Sequence, residues 1–472
     1  MTIRFGTDGW RGVIAEDCTF AEIRRIAAAT ARFYASAPGP GDRTRIVLGH
    51  DPRFLSPEFA RTAAEVFADA GIDVLLSDRA IPTPAVSFHV RRLGLKGGIA
   101  ITASHNPGRY NGFKVKAHFG GSAPPADYEA ISAEADRPLP PAARRGTIAV
   151  VDLATAYRER LASLVDVGAI RAARLSVLAD AMHGAAGALV AEILSGGPGP
   201  LRVASFRAER DPLFGGVHPE PIGVNLSASA ERVRAEGFDL CVAHDGDADR
   251  LGVLDAQGRF VSPHQVLALL LLHVFRNRGE KGGIAKTFST SFQVDRIARA
   301  LGAPLIETGI GFKYVAELMN RGEAVAGGEE SGGYAFAFHL PERDGVLSAL
   351  LLVESLAKTG RNLGQSLDAL AAEFGRFEYG RRDVYLPVDL IRRYVAEVHD
   401  APPASAAGEP VTAVQDRDGV KYVLGERGWL LHRLSGTEPM VRLYCEHADG
   451  SKMNAILDEA ERRLRAFAGN PA

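Results

Sequence analysis

The sequence predicts an α/β protein with three similar α/β domains, each with a mixed, mostly parallel sheet, and a smaller C-terminal α+β domain around a central cleft. Three observations support this fold class. A chain of 472 residues is longer than one hydrophobic core usually serves. Short apolar strands alternate with segments of helical length, as in parallel sheets. The same strand and helix order occurs three times, and each time an unusual polar loop follows the third strand.

The first unit begins with apolar strands at residues 46–48 and 74–76, which alternate with helices and lead to a third strand at residues 98–101. Ser56 is the expected N-cap of the first of these helices, with Pro57 in the first helical position. An apolar stripe along this helix is expected to pack on the sheet.

The second and third units repeat this order. Their strands are expected at residues 175–178, 202–204 and 240–243, and then at 284–285, 304–306 and 324–326. The last unit differs, with a strand at 384–386, a hairpin-like segment at 411–431 and a final amphipathic helix. Because ligands of open α/β sheets bind beyond the carboxyl ends of the strands, the three polar loops are expected to face one shared cleft.

These patterns predict four domains and a hinge. The expected domains are residues 1–150, 151–256, 257–376 and 377–472. The candidate phosphate-binding residues described below lie on the last domain. A hinge at residues 374–382 is therefore expected to open and close the cleft.

Composition argues against two classes of partner. Lys and Arg number 55 against 57 Asp and Glu, a net charge of −2, so no basic field is available for nucleic acid or an anionic membrane surface. The longest apolar runs fall far short of the ~20 residues that span a bilayer.

The widely separated Cys18, Cys241 and Cys445 are expected to be buried small apolar residues, which fits a reducing cytoplasm. The N-terminus has no basic region followed by an apolar core, so no signal peptide is expected.

A serine on a tight turn is the candidate nucleophile. The strand at residues 98–101 leads into Thr-Ala-Ser-His-Asn-Pro. Asn106 precedes a proline, which favours a turn, so Ser104 is expected to be held exposed, away from the sheet. His105 and Lys114 are the candidate proton-transfer groups. Taken alone, the segment favours a plain polar turn, and the other polar loops of the chain change that interpretation.

A short acidic loop is the candidate metal site. Asp245, Asp247 and Asp249 stand at alternate positions after an apolar strand. Like charges this close would force protons onto some of them, and a divalent cation removes that conflict. Hard oxygen ligands on a short loop favour Mg²⁺, and the ligand spacing of an EF-hand is missing. Arg250 is suited to hold a phosphate oxygen beside the cation. The alternative is a solvated acidic loop.

Two further loops indicate ligand contacts. Glu329 and Ser331, in Gly-Glu-Glu-Ser-Gly-Gly, offer acceptors for sugar hydroxyls, with a helix cap as the alternative. The second loop combines a guanidinium, two hydroxyls and a glycine that frees backbone N–H groups, in Arg433, Ser435, Gly436 and Thr437, and this combination suits a dianionic phosphate. Arg442 is a candidate second guanidinium for the same phosphate. The alternative for this loop is a surface turn.

These four loops, in this order, resemble those of the α-D-phosphohexomutase superfamily, the phosphoglucomutases and phosphomannomutases, along essentially the whole chain. Residues 5–12, Phe-Gly-Thr-Asp-Gly-Trp-Arg-Gly, are similar to the N-terminal signature of the family, which implies that Arg11 approaches a phosphoserine. The resemblance implies that Ser104 carries this phosphate. It also implies that the phosphate binds Mg²⁺ together with the three carboxylates of Asp245, Asp247 and Asp249.

The resemblance further implies how a hexose phosphate would be held. Glu329 and Ser331 match the sugar-binding positions, and Lys286 and Lys313 match substrate-facing basic residues. The substrate's non-reacting phosphate would be held by Arg433, Ser435, Gly436 and Thr437.

The implied reaction is the reversible transfer of phosphate between O1 and O6 of glucose, through phosphoserine and a glucose 1,6-bisphosphate intermediate. Gly333 stands where dual-specificity members carry a histidine, and phosphoglucosamine mutases usually have an aliphatic residue at the position of Trp10. These features rank phosphoglucomutase first, a phosphomannomutase or dual-specificity enzyme second and a phosphoglucosamine mutase third. An aspartyl phosphatase and a non-catalytic sugar-phosphate sensor are the rivals from other classes. The sequence predicts no oligomeric state.

Overall fold

The protein has four domains, each built on its own main sheet, as the sequence predicts. The computed structural model describes residues 3, 5–6, 8–139, 142–435 and 439–469. Within these ranges three α/β units are followed by a smaller α+β unit. The predicted fold class is confirmed. In the same ranges, no helix combines the length and the apolar character needed to cross a membrane.

The first domain has a six-stranded sheet in the order β1-β5-β4-β2-β3-β6. β2, β3, β4 and β6 are parallel, while β5 is antiparallel to β4 and to β1. The elements are β1 (Trp10–Val13), α1 (Phe20–Ser36), β2 (Arg45–His50), α2 (Ser56–Asp69), β3 (Asp73–Ser77), α3 (Thr83–Arg92), β4 (Gly97–Ile101), β5 (Tyr110–Ala117), α4 (Pro125–Ala133) and β6 (Ile148–Val151).

The second domain has a five-stranded sheet in the order β11-β10-β9-β7-β8. Its elements are α5 (Ala154–Leu164), α6 (Val167–Ala172), β7 (Ser176–Asp180), α7 (Leu189–Leu194), β8 (Arg202–Phe206), α8 (Ser227–Glu236), β9 (Leu240–His244), β10 (Leu251–Asp255) and β11 (Phe260–Val261). Because β11 pairs with β10, this sheet extends beyond the expected boundary at residue 256. The first sheet likewise extends one residue beyond 150, since β6 ends at Val151.

The third domain has a four-stranded sheet in the order β13-β12-β14-β15. Its elements are α9 (Pro263–Leu272), β12 (Ile284–Thr287), α10 (Phe292–Leu301), β13 (Leu305–Thr308), α11 (Phe312–Asn320), β14 (Ala326–Gly328), β15 (Tyr334–Phe336), α12 (Gly345–Thr359) and α13 (Leu363–Phe374).

The three α/β domains share one strand order. The third strand of each repeat pairs with the first, and the first pairs with the second, giving β4-β2-β3, β9-β7-β8 and β14-β12-β13. In each case the third strand is followed by an antiparallel partner, β5, β10 or β15. The predicted polar loop is the connection between these two strands. The inferred repetition is therefore confirmed, and each loop starts at the carboxyl end of a strand beside a switch in strand order, where α/β folds bind ligands.

The fourth domain has a five-stranded antiparallel sheet in the order β16-β22-β21-β20-β19. The predicted hairpin and final amphipathic helix are both present. The elements are β16 (Glu378–Tyr385), α14 (Val388–Asp400), β17 (Ser405–Ala406), β18 (Glu409–Pro410), β19 (Ala413–Gln415), β20 (Val420–Val423), β21 (Gly428–Leu434), β22 (Met440–His447) and α15 (Gly450–Phe467).

One hydrophobic core runs through the first three domains, with α12 buried in it. The fourth domain has its own core and contacts the third through a smaller cluster in which Phe288 packs with Trp429, Leu431 and Tyr444. The first three domains therefore pack as one body, and the fourth is attached through a smaller interface. This arrangement is compatible with the hinge expected at residues 374–382, which stays a prediction.

Two local predictions about α2 are wrong. The helix begins at Ser56, and the N-cap position is taken by Leu55, whose φ of 61° is left-handed and whose side chain makes no cap. Pro57 is therefore the second helical residue. The Ser56 hydroxyl donates instead to Oδ1 of Asp51 at 2.8 Å, because that fully buried carboxylate needs donors. The expected burial of Cys18, Cys241 and Cys445 is confirmed.

Candidate active site

Ser104 lies in the loop after β4, beneath the acidic loop of the second domain. Its φ is 53°, a left-handed conformation that is uncommon outside glycine. Its Oγ donates to Oδ2 of Asp245 at 2.9 Å, and Nδ1 of His105 lies 3.5 Å from the same oxygen. The prediction that Ser104 is exposed is wrong, because the side chain is fully buried. The acidic loop covers it so closely that a Cβ added at Gly246 would lie 2.5 Å from the Ser104 carbonyl oxygen.

The three predicted metal ligands are brought together. Asp245, Asp247 and Asp249 are fully buried, and one carboxylate oxygen from each lies within 4.8 Å of the others. Oδ1 of Asp247 and Oδ1 of Asp249 accept no hydrogen bond from the described residues. A buried carboxylate oxygen without a partner is costly unless an ion or water completes it. Hard oxygen ligands without a local partner fit a small divalent cation.

The other carboxylate oxygens of this triad are anchored by protein donors. Oδ2 of Asp247 accepts from Thr83 Oγ1 at 2.6 Å and from Lys114 Nζ at 2.8 Å. Oδ2 of Asp249 accepts from Lys114 at 3.2 Å. Asp245 accepts from the backbone N–H of Arg250 at 3.1 Å through Oδ1. Each carboxylate is thus oriented by one oxygen, and Asp247 and Asp249 keep the other available for a cation.

Two members of the acidic cage, the three carboxylates of Asp245, Asp247 and Asp249, have pKa values shifted in opposite directions. Burial raises the pKa of Asp245, and the charges of Asp249 and Asp247 raise it further. Burial also raises the pKa of Asp247, but the charge and the hydrogen bond of Lys114 outweigh burial, so this pKa is lowered. A raised pKa on one carboxyl group beside a lowered pKa on its neighbour is the pattern expected when like charges share a site. A bound cation would lower the pKa of Asp245 by offsetting these charges.

Lys114 connects the first and second domains. Its Nζ lies 2.9 Å from Oδ2 of Asp8 as well as contacting Asp247 and Asp249. Burial lowers the pKa of Lys114, but these carboxylates outweigh burial and raise it above its ordinary value. Lys114 is therefore a fixed cation that orients the ligand carboxylates. This environment disfavours a role as general base.

Arg11 and His105 approach Ser104 from within the first domain. Nη1 of Arg11 donates to Oδ1 of Asn106 at 2.6 Å, which places the guanidinium against the serine loop. Burial lowers the pKa of His105 well below its usual value, and the charges of Arg250 and Arg11 lower it further. His105 is therefore held in its neutral form and is a weaker base than a free imidazole.

Arg250 directly follows the triad, and one N–H group of its guanidinium donates no hydrogen bond within the described residues. Its Nη1 lies 3.5 Å from Glu220, and its buried Nε finds no acceptor among the described residues. A guanidinium held in this way next to an acidic cage suits a phosphate oxygen.

The predicted sugar loop contacts the acidic cage through Arg343, a residue that sequence reasoning missed. Nη2 of Arg343 donates to Asp249 at 2.6 Å and to Asp8 at 2.8 Å, while Nη1 reaches Glu329 at 3.4 Å. Arg343 therefore ties together the first three domains. A charged Glu-Arg-Asp triplet directly before a long apolar helix is the sequence signal that marks it.

Glu329 and Ser331 lie next to each other at the end of β14. Oγ of Ser331 is 3.5 Å from Oε2 of Glu329. Burial raises the pKa of Glu329 to about 7, with Arg343 acting in the opposite direction. A Cβ added at Gly333 would lie 2.2 Å from Cδ of Arg343. Without a shift of Arg343, this position has no space for a histidine.

The predicted phosphate loop lies at the end of β21. Arg433 and Arg442 stand directly opposite each other in the register of β21 and β22, so their side chains leave the same face of the sheet. Arg433 is held by Asp418 at 2.9 Å, and the buried Nε of Arg442 has no acceptor within the described part of the chain. Ser435 is nearly buried at the end of the same strand. Gly436 and Thr437 lie outside the described residues.

Lys286 and Lys313 are placed differently from the other predicted residues. Lys286 is buried and forms ion pairs with Asp295 and, at 3.5 Å, with Glu307. None of its described contacts is to another predicted site residue. Lys313 is half-buried at the start of α11, with its Nζ 5.1 Å from the ring centre of Tyr314.

Comparison with known proteins agrees with this architecture. Four domain models of the phosphoglucomutase/phosphomannomutase family match consecutive parts of the chain. They are α/β/α domain I at residues 2–139, domain II at 155–258, domain III at 262–374 and the C-terminal domain at 390–463.

Relatives match over nearly the full length. A phosphoglucomutase/phosphomannomutase of Thermococcus kodakarensis is 32% identical over 459 residues, 96% of each chain. A phosphoglucosamine mutase of Kineococcus radiotolerans is 33% identical over 472 residues, 97% of each. A crystal structure from Thermus thermophilus, assigned to the phosphomannomutases, superposes with a TM-score of 0.86 at 36% identity and covers 98% of this chain and 99% of that one.

The fold and these matches define an enzyme of the isomerase class, an intramolecular phosphotransferase. The chain belongs to the α-D-phosphohexomutase superfamily, in the phosphoglucomutase/phosphomannomutase family.

Proposed function

We propose that this protein is a phosphoglucomutase, which moves phosphate reversibly between O1 and O6 of glucose through a phosphoserine at Ser104. The observation that carries the proposal is the contact between Ser104 Oγ and Asp245 at 2.9 Å, inside a buried carboxylate triad. A hydroxyl in this position can exchange a phosphoryl group beside a cation. A plain turn would have no reason to bury a strained serine under three carboxylates.

Asp245, Asp247 and Asp249, together with the phosphate on Ser104, would hold Mg²⁺. When bound, Mg²⁺ neutralises charge on the transferring phosphoryl group. The chain's own residues do the remaining work. Arg250 offers to a phosphoryl oxygen its Nε, which donates no hydrogen bond to the described residues, and Arg11 approaches from β1.

Each half-reaction exchanges one P–O bond. The bond between phosphorus and Ser104 Oγ breaks and a bond to the free sugar hydroxyl forms, while that hydroxyl gives up one proton and Ser104 Oγ gains one. Glu329 and Ser331 hold the sugar, while Arg433 and Arg442 hold the phosphate that does not react. Of the two proton-transfer candidates, neutral His105 lies 3.5 Å from Ser104 Oγ and is the one placed to relay a proton, whereas Lys114 stays a fixed cation. Glucose 1,6-bisphosphate then turns around and returns its other phosphoryl group to Ser104.

Glucose is our first choice of sugar because of the surroundings of the sugar loop. Glu329 and Ser331 suit the 3- and 4-hydroxyls, which glucose and mannose share in configuration. The side chain of Arg343 occupies the space beside Gly333, where a histidine would otherwise offer a partner for the axial hydroxyl of mannose. Any preference from one hydrogen bond is modest, on the order of 1–3 kcal/mol.

A phosphoglucosamine mutase is the second candidate, because several full-length relatives at 30–34% identity carry that name. A phosphomannomutase or dual-specificity enzyme is the third. The three buried free thiols support a reducing cytoplasmic location.

One assay separates these candidates. Glucose 1-phosphate, mannose 1-phosphate and glucosamine 1-phosphate are compared side by side with Mg²⁺ and a catalytic amount of the matching hexose 1,6-bisphosphate. We expect glucose 1-phosphate to give the highest kcat/KM, by roughly tenfold to a hundredfold. A higher value for glucosamine 1-phosphate would establish the second candidate. Release of free phosphate in place of isomerisation would indicate a phosphatase.

A further inference from the structure

A buried arginine outside the predicted site holds the loop that carries Ser104. Arg53 follows β2, and its side chain is fully buried. Nη2 donates to the carbonyl oxygen of Ser104 at 2.5 Å and to that of Asn106 at 2.7 Å. Nη1 donates to the carbonyl oxygens of Pro107 at 2.8 Å and Tyr110 at 3.1 Å. One guanidinium thus fixes three carbonyl groups of the serine loop and that of Tyr110 at the start of β5.

The fifth N–H group of this guanidinium binds a carboxylate. Nε of Arg53 donates to Oδ2 of Asp51 at 2.9 Å, so every donor of the side chain has an acceptor. The same Oδ2 accepts from Oγ1 of Thr102 at 2.7 Å, and that hydroxyl oxygen accepts from the backbone N–H of Ser104 at 2.8 Å. Both backbone polar groups of Ser104 are therefore fixed by the Arg53–Asp51 pair, one directly and one through Thr102.

The conformation of Ser104 explains why this much support is needed. A non-glycine residue with a φ of 53° is strained, and such residues persist only where the surrounding structure over-determines them. Rotation out of this conformation would move Oγ away from Asp245. The hydrogen bonds from Arg53 and Thr102 oppose that rotation from both sides of the residue.

Arg53 also links the serine loop to the second domain. Its guanidinium carbon lies 4.8 Å from the centre of the Phe214 ring, and Arg210 donates to its backbone carbonyl oxygen at 3.3 Å. A Cβ added at Gly246, in the acidic loop, would lie 3.3 Å from Nη2 of Arg53. The arginine is therefore packed between the serine loop and the acidic loop.

We infer that Arg53, with Asp51, is a positioning residue for phosphoryl transfer: it sets the backbone of Ser104 so that Oγ faces the carboxylate triad. The described contacts of the Arg53 side chain are to Asp51, to backbone carbonyl oxygens and to Phe214, and not to Ser104 Oγ. The inference rests on the proposed function, because it concerns the geometry of the same serine. It predicts a defect in transfer rate that is separate from any loss of stability.

The test compares Arg53→Ala and Arg53→Lys with the matched control Arg278→Ala. Arg278 is likewise mostly buried, pairs with Glu354 at 2.8 Å and lies 5.0 Å from the Phe338 ring centre, but none of its described contacts is to the serine loop. The measurements are the rate of phosphate transfer from labelled glucose 1,6-bisphosphate to the protein, kcat and KM for glucose 1-phosphate, and the melting temperature.

We expect both Arg53 variants to lose about 100-fold in transfer rate and in kcat, because displacing a reacting group by about 1 Å costs roughly that factor. KM should stay nearly unchanged. Lysine keeps the charge but lacks the fork, so it should not restore the rate. Millimolar guanidinium should raise the rate of Arg53→Ala and leave Arg278→Ala unaffected. Arg278→Ala should lower the melting temperature and keep the wild-type rate.

Folded Arg53 variants with near-normal transfer rates would overturn the inference, as would equal rate losses in Arg278→Ala. If both Arg53 variants fail to fold, Thr102→Val takes their place, since it removes the bond to the Ser104 N–H at almost constant volume. We expect a loss of kcat of about tenfold or more there, because the variant loses the hydrogen bonds of Thr102 Oγ1 to Asp51 and to the Ser104 N–H, and a full rate would overturn the inference. A wild-type protein that takes up no phosphate would contradict the proposed function itself, which separates the two failures.

Discussion

A single hydroxyl outside the metal-binding loop is expected to control the affinity for Mg²⁺. Thr83 lies at the start of α3 in the first domain and is buried. Its Oγ1 donates to Oδ2 of Asp247 at 2.6 Å, and its backbone N–H donates to the Asp247 carbonyl oxygen at 3.0 Å. Thr83→Val removes the first bond and leaves the second, with almost no change in volume or charge.

The size of the effect of Thr83→Val depends on the hydrogen bond that Asp247 keeps. A hydrogen bond to a charged group contributes about 1.5–3 kcal/mol, and Asp247 Oδ2 keeps a second donor in Lys114 at 2.8 Å. The free energy of unfolding of Thr83→Val should therefore be lower by about 1.5 kcal/mol. Partners that orient a metal ligand typically change metal affinity by about 10- to 100-fold, and the remaining Lys114 bond favours the lower part of that range.

The assay is a Mg²⁺ titration of mutase turnover, with calorimetric titration of Mg²⁺ as a second measure. The matched control is Thr30→Val, because the buried Thr30 hydroxyl donates to the Ile26 carbonyl oxygen at 2.8 Å within α1, away from the acidic loop. Thr30→Val should lose somewhat less stability, about 0.5–1.5 kcal/mol, because its acceptor is a neutral carbonyl. Only Thr83→Val should need more Mg²⁺ for half-maximal turnover.

An unchanged Mg²⁺ requirement in folded Thr83→Val would refute the reasoning, because the hydroxyl would then not orient a metal ligand. An equal increase in Thr30→Val would assign the effect to general loss of stability.

Three further predictions concern the other site residues. Asp247→Asn should weaken Mg²⁺ binding by at least about 100-fold and lower turnover with it, and EDTA should abolish turnover reversibly; activity that persists after chelation would exclude a metal-dependent step. Arg433→Ala should lower kcat/KM by roughly 10- to 100-fold through a lost charged hydrogen bond, yet impair phosphoserine formation from glucose 1,6-bisphosphate less than the full cycle; equal losses in both assays would indicate a structural role. Glu329→Ala should lower kcat/KM for glucose 1-phosphate and mannose 1-phosphate by similar factors of about 10 to 100, and an effect on one sugar alone would show that Glu329 contacts the group at C2.

The repeated architecture could be predicted because it depends on local patterns. Apolar strands alternate with helices at a regular spacing, and the third strand of each repeat runs directly into a polar loop, as Ile101 does before Ser104. Parallel strands present these loops at their carboxyl ends, so a shared cleft follows from topology alone.

The environment of the site could not be predicted, because it depends on contacts between residues far apart in sequence, several of them in different domains. Ser104 was expected to be exposed, but the acidic loop of another domain covers it. Arg53, Thr83 and Arg343 act on site residues that are 51, 164 and 94 positions away in sequence, and nothing in their local sequence identifies those partners. Lys286 is buried in ion pairs that become visible only when β12 and β13 are placed side by side.

The site of phosphate attachment is the most direct test of the central claim. The protein is incubated with glucose 1,6-bisphosphate and Mg²⁺, and the modified peptide is mapped by mass spectrometry beside Ser104→Ala. The account predicts one phosphate on Ser104, its absence from the variant, and a loss of mutase turnover by several orders of magnitude in the folded variant. Near-normal turnover in Ser104→Ala, or a phosphate that maps to a different residue, would contradict the account.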